Sequence, residues 1–169
     1  MAGGTSRRQW VLAVLDRYEV RLLRYATRLL GEEHAARDAV QHAFLQLCEQ
    51  SPAELEGREA PWLFAVCRNK ALDVLRAGRR LTSVGESEMA GCRSREPDPA
   101  DRAEREDLYG RLAELVARLP AGQREAIDLW ADGFSYRQIA EIVGQTEGGV
   151  RVLVHRALKH LRQQCEVHT

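Results

Sequence analysis

An all-α protein is predicted, built as two small helical domains joined by a flexible linker. Three observations predict it. Apolar residues recur every three to four positions along most of the chain. Aromatic residues make up only 6% of the 169 residues and β-branched runs are scarce, while Ala, Leu, Arg and Glu dominate. One stretch, 82–101, breaks the periodicity with Ser, Gly, Glu and two prolines.

Each element follows in order. Trp10, Leu12, Val14, Leu15, Leu22, Leu23, Ala26, Leu29 and Leu30 predict one or two amphipathic helices over 9–30, with Gly31 as the stop. Glu32 and Glu33 place negative charge where a new helix begins. That helix, 33–49, buries Ala36, Ala39, Val40, Ala43, Phe44 and Leu47 and leaves Asp38, Gln41, His42 and Gln46 off the stripe. Two prolines and a glycine in 51–61 mark a loop, and Pro61 suits the first turn of a helix running to about Arg79. Its apolar positions are Trp62, Leu63, Val66, Cys67, Ala71, Val74 and Leu75. Beyond the linker, Leu108, Leu112, Leu115, Val116 and Leu119 predict a stripe that Pro120 ends. A helix over 121–131 presents Ala126, Ile127, Leu129 and Trp130, and Gly133 closes it.

The most informative stretch is 135–162. Ser135 caps a short helix, and Gln138 three residues on completes a capping-box pattern. Ile139, Ala140, Ile142 and Val143 give it an apolar face, and Gly144 ends it with a positive φ. Thr146 caps a second helix with Val150, Leu153, Val154, Ala157, Leu158 and Leu161 at helical spacing. Two helices joined by a short turn with glycine form a helix-turn-helix. The polar side of the second helix carries Arg151, His155, Arg156, Lys159, His160 and Arg162. Such a helix fits a major groove, its first turns against base edges and its cations against phosphates.

Charge and cysteine usage narrow the function. The net charge is +0, from 25 basic and 25 acidic residues, so nucleic-acid contact must come from local patches. Residues 146–165 are locally basic, whereas 81–106 hold more acids than arginines and would stay off DNA. No apolar run approaches the roughly 20 residues of a membrane span, and no secretory signal is expected. The cysteines at 48, 67, 92 and 165 form no CxxC pair, and Cys165 with His168 is too few ligands for zinc. Reduced thiols are expected, with Cys48 and Cys67 in the core; no metal or cofactor is called for.

Four segments in order, DAVQHAFLQL (38–47), PWLFAVCRNKALDVLRAGRR (61–80), LPAGQREAIDLWADGFSYRQIAEIVG (119–144) and VRVLVHRALKHLR (150–162), resemble the bacterial sigma factors of the extracytoplasmic-function (ECF) group. The resemblance covers about Asp16 to Arg162. It implies a first domain over 1–81 (sigma region 2), an acidic linker over 82–101 and a second domain over 102–169 (sigma region 4). It also implies a cytoplasmic, non-catalytic subunit that confers promoter recognition and transcription initiation on core RNA polymerase. The implied partners are the clamp helices of the polymerase's largest subunit, promoter DNA and an anti-sigma factor, with no insertion into a membrane.

By that resemblance Asp38, Gln41 and Phe44 lie at or beneath the polymerase-docking surface. Helix 61–80 matches the segment that recognises and melts the −10 element, with Arg68, Asn69, Lys70, Asp73, Arg76, Arg79 and Arg80 as its DNA-facing set. Melted DNA offers phosphates and base faces, which cations and an amide edge can hold. The loop 51–60 would wall a pocket for a base swung out of the stack. Trp62 could stack there, although its spacing favours core packing. The −35 reading set is Arg137, Gln138, Thr146, Glu147, Gly148, Gly149, Arg151, Val152, His155, Arg156 and Lys159, with Arg151 and Arg156 foremost. Gly148-Gly149 and Leu153 depart from the family pattern, and Leu153 with Val152 beside it makes this helix more apolar than is usual.

Two other classes compete with that reading. A stand-alone helix-turn-helix regulator would leave the basic face of 61–80 without a role. An enzyme with a DNA-binding tail would need a constellation that is missing: there are no paired acids at metal spacing and no glycine-rich phosphate loop.

Overall fold

Nothing breaks the helical pattern before Gly31, so the first helix, α1, runs as one rod from Gly3 to Leu30. The computed structural model describes residues 3–81 and 102–166, which hold eight helices. They group into two units, one within 1–92 and one within 93–169. The linker over 82–101, Cys92 and His168 fall outside the described residues.

In the first unit Gly31 takes a φ of 70°, and its N–H donates to the Thr27 carbonyl at 2.8 Å. Glu32 then caps α2 (Glu33–Glu49), its carboxylate accepting from the N–H groups of His34 and Ala35 at 2.9 Å each. Those two donors, Ala35 foremost, hold the Glu32 carboxyl below its ordinary value of 4.5. The cap therefore contributes stability above that value and loses it as pH falls through the lowered one.

The buried stripe of α2 is the expected one, Ala36, Ala39, Val40, Ala43, Phe44 and Leu47. Cys48 is a correction: it is exposed, because one residue beyond Leu47 is about 100° further round the helix. Cys67 is buried as expected, and burial pushes its thiol up to about 12, which keeps it protonated and inert. The 51–60 segment is not all loop. It holds a single turn, α3 (Pro52–Leu55), which plugs Leu55 into the core.

The next helix, α4 (Glu59–Leu81), begins two residues earlier than Pro61 suggested. A proline third in a helix still lies among the first four N–H groups that have no helical partner, so it costs no bond. Trp62 is only half-buried. Leu22, Leu47, Leu63, Phe64 and Cys67 are fully buried between α1, α2 and α4. The rings of Tyr25 and Phe64 join α1 to α4, with centroids 5.2 Å apart and planes tilted by 39°.

In the second unit α5 (Arg102–Ala117) packs only lightly on α8 (Glu147–Glu166), so its predicted stripe is only partly covered. Leu119 is buried, Leu115 and Val116 are half-buried, Leu112 is exposed, and the Leu108 side chain lies outside the described set. Arg124 ties the end of that stretch to α6 (Ala121–Ala131), donating from Nη2 to the Leu119 carbonyl at 3.2 Å. Trp130 is 41% exposed rather than core. Helix α7 (Tyr136–Val143) has the full capping box: Ser135 Oγ accepts from the Gln138 N–H, and Gln138 Oε1 accepts from the Ser135 N–H. Gly144 closes it at φ 68°. Leu129, Ile139, Val150, Val154 and Ala157 then seal α6, α7 and α8 (Glu147–Glu166) together.

Thr146 Oγ1 caps α8 by accepting from the Gly149 N–H at 3.1 Å. A Cβ on Gly149 would sit 3.1 Å from that hydroxyl, whereas one on Gly148 would meet nothing within 4 Å. The paired glycines are therefore not equivalent: Gly149 makes room for the cap, and Gly148 leaves bare backbone at the surface. Two outcomes follow for thermal and denaturant unfolding. Phe64→Ala should cost about 3–5 kcal/mol, and a loss under about 1 would mean the α1–α4 seam is not tightly packed. Gly148→Ala should stabilise by up to about 1 kcal/mol, whereas Gly149→Ala should give no gain; equal effects would refute the cap geometry.

Candidate nucleic-acid interface

Desolvating a cation is expensive, so cations settle on the outer face of amphipathic helices. Among the described residues no polar or charged residue is buried. On α4 that outer face gathers Asn69, Asp73, Arg76, Arg79 and Arg80, all exposed, with Arg68 and Lys70 half-buried beside them. Arg76 Nη1 reaches Asp73 Oδ1 at 3.3 Å, and both side chains are more than 60% exposed. A pair so open to water is weak, so a phosphate can displace Asp73. The helix ends in Arg79 and Arg80, where cations also suit its negative pole.

On α8 the first turns present Thr146, Glu147, Gly148, Arg151, Val152, His155, Arg156 and Lys159, all exposed, with Gly149 half-buried. Val152 is 46% exposed, so this face offers an apolar contact as well as charge. Leu153 is half-buried, and its terminal carbon lies 4.0 Å from where a Cβ on Gly122 of α6 would be. Its apolar character thus serves packing within the unit.

Arg151 is held from two sides. Its Nη2 reaches Glu147 Oε1 at 3.0 Å, and its guanidinium carbon stands 5.2 Å from the centroid of the Tyr136 ring. A guanidinium over an aromatic face is attracted to it and loses side-chain freedom. Arg151 is thereby aimed before any ligand arrives. Tyr136 was missed in the sequence, because it opens α7 and the contact crosses to another helix. Arg137 is exposed next to it. Gln138 is half-buried with its carboxamide oxygen engaged in the capping box, which leaves its amide nitrogen for any outside contact.

On α2, Asp38 and Gln41 are exposed and Phe44 is buried beneath them at 8% exposure. Leu45, 59% exposed, shares the outer side of α2 and was also missed. An apolar residue off the buried stripe was the available signal.

Comparison with known proteins matches both units. Residues 14–81 match the family model "Sigma-70 region 2", and residues 109–161 match "Sigma-70, region 4". The ECF RNA polymerase sigma factor SigL of Mycobacterium tuberculosis is 34% identical over 154 residues, covering 89% of this chain and 85% of SigL. The ECF RNA polymerase sigma factor BldN of Streptomyces coelicolor is 27% identical over 149 residues, 86% of this chain and 56% of BldN. Among solved structures, the sigma factor RpoE in complex with the anti-sigma factor NepR from Bartonella quintana superposes with a TM-score of 0.63 at 25% identity, covering 96% of this chain and 98% of that one. CnrH in complex with the cytosolic domain of CnrY shares the fold, with a TM-score of 0.63 at 23% identity over 96% of this chain and 91% of that one. Region 2 followed by region 4, with a relative as near as SigL, means that this chain belongs to the sigma-70 family, in its ECF group of RNA polymerase sigma factors.

Proposed function

We propose that this chain is a non-catalytic, cytoplasmic promoter-specificity subunit whose two units grip two separate parts of one promoter. The division is 1–81 for polymerase docking and the −10 element, 82–101 as linker, and 102–169 for the −35 element. One observation carries this reading: Arg76, Arg79 and Arg80 in one unit and Arg151, Arg156 and Lys159 in the other are all exposed. Each unit thus keeps a cationic edge clear of its own core, in a chain of net charge +0.

Asp38 and Gln41, over Phe44, are the docking residues for the polymerase clamp helices, with Leu45 as an apolar neighbour. Arg68, Asn69, Lys70, Asp73, Arg76, Arg79 and Arg80 hold the melted −10 region. Phosphates meet the arginines, and the Asn69 amide meets a base edge. On the −35 duplex Arg151 and Arg156 are the main contacts. Thr146, Glu147, Gly148, Gly149, Val152, His155 and Lys159 surround them, and Arg137 and Gln138 stand on the preceding helix. The bare backbone at Gly148 allows close approach to a phosphate at the start of α8. An anti-sigma partner belongs to the reading, since the solved relative RpoE is bound to NepR. Among the described residues no helix is long and apolar enough to cross a membrane.

Run-off transcription with core polymerase tests the reading. Promoter-dependent initiation should appear only when the protein is added; no stimulation on any selected template would defeat it. Arg151→Ala and Arg156→Ala separate the contact types on a −35 duplex. A lost phosphate contact should lower the salt slope by about 0.9. A lost base contact should cost about 1–3 kcal/mol and relax one position. Unchanged binding in both variants would remove these residues from the interface.

A further inference from the structure

Val152 is an apolar side chain in a place that packing does not explain. It is the sixth residue of α8 and is 46% exposed. Successive helix residues turn by about 100°, so Val152 lies about 140–160° round from Val150, Val154 and Ala157. Those three are fully buried. Val152 therefore points away from the core, almost opposite it. Its neighbour Leu153, half-buried, is the residue that packs toward Gly122 of α6. A β-branched residue is also a poorer helix former than alanine, so an exposed helical site does not favour valine on local grounds.

The surroundings are polar and cationic. Within about 60° of Val152 around the helix lie Gly148, His155, Arg156 and Lys159, all exposed. Gly148 stands one turn earlier, and a Cβ there would meet nothing within 4 Å. It adds no side chain to screen Val152 from the floor of a groove. The residue before Val152 is Arg151, held by Glu147 at 3.0 Å and by the Tyr136 ring at 5.2 Å. An arginine fixed in this way sets the register of a helix on a duplex, and with it where Val152 falls.

We propose that Val152 reads a thymine of the −35 duplex through its C5-methyl group. Among the groups that base pairs present in the major groove, that methyl is the apolar one, and the others donate or accept hydrogen bonds. An apolar side chain flanked by cations matches a methyl group set between two phosphate backbones. An apolar protein surface would instead desolvate Arg156 and Lys159 without a partner, which is costly. The contact separates thymine from cytosine, which carries only hydrogen at that carbon. The inference rests on the reading of α8 as the −35 helix.

The test uses holoenzyme assembled from the full chain and core polymerase. Promoter duplexes are selected by the wild type from sequences randomised in the −35 element. At least one position should be fixed as thymine, and a −35 element with none overturns the proposal. Each such thymine is then replaced singly by deoxyuridine, which pairs alike but lacks the methyl. One replacement should weaken wild-type binding about fourfold, the worth of about one buried methyl. Val152→Ala should lose about as much on the unmodified duplex and be indifferent to deoxyuridine at that position. Where cytosine replaces that thymine, 5-methylcytosine should recover affinity for the wild type and not for Val152→Ala. If the wild type feels no deoxyuridine replacement, or if Val152→Ala feels the same one equally, the methyl contact is refuted. If Val152→Ala loses affinity for core polymerase, the side chain meets protein and the proposal is overturned. Scrambling the whole −35 element separates the two readings. Binding unaffected by scrambling removes the −35 reading of α8 as well, whereas binding lost on scrambling but indifferent to the methyl removes the role of Val152 alone.

Discussion

The ring contact between Tyr25 and Phe64 fixes how α1 lies on α4. Much of the first unit depends on it. Phe64 is fully buried, and the guanidinium carbon of Arg21 stands 5.9 Å from its ring centroid. The same ring therefore belongs to the core and also lies beside a cation. Small units of this size bury only about 60% of their unfolded surface. With so little apolar area to spend, the packing that builds the core must also position the charges.

The second unit solves the same problem with capping instead of rings. Ser135, Gln138, Gly144 and Thr146 set the start and stop of α7 and the start of α8 within twelve residues. Ile139, Val150 and Val154 then lock the pair against Leu129 of α6. The result is a rigid mount for Arg151, whose Glu147 and Tyr136 partners come from its own helix and from the one before. Both arrangements rest on one constraint. A cation cannot be moved into a core this small, so it is steered at the surface by whatever ring or carboxylate lies nearby.

Local rules made much of this legible in the sequence. The capping box at Ser135–Gln138, the stop at Gly144 and the stripe of α2 each depend on residues within a few positions, and each appears as read. Long-range packing did not show. Cys48 looked like Cys67, yet only the second faces a neighbouring helix. The stripe of α5 seemed complete, but α5 packs only lightly on α8 and leaves Leu112 in water. The start of α4 was placed at Pro61, because a first-turn proline does not say which position of the turn it fills. At the interface, exposure of the arginines followed from amphipathicity. Their partners did not, since the Tyr136–Arg151 contact spans two helices and a turn.

The capping role of Gln138, beside the DNA contact proposed for it, has a practical consequence for anyone retargeting this protein to new promoters. Its carboxamide oxygen is already committed to the Ser135 backbone, so replacing it alters fold stability together with any readout. A library that randomises 138 would confuse weakened folding with changed specificity. Diversity is better confined to positions such as Val152, His155 and Arg156, whose side chains project from a helix already fastened by other residues.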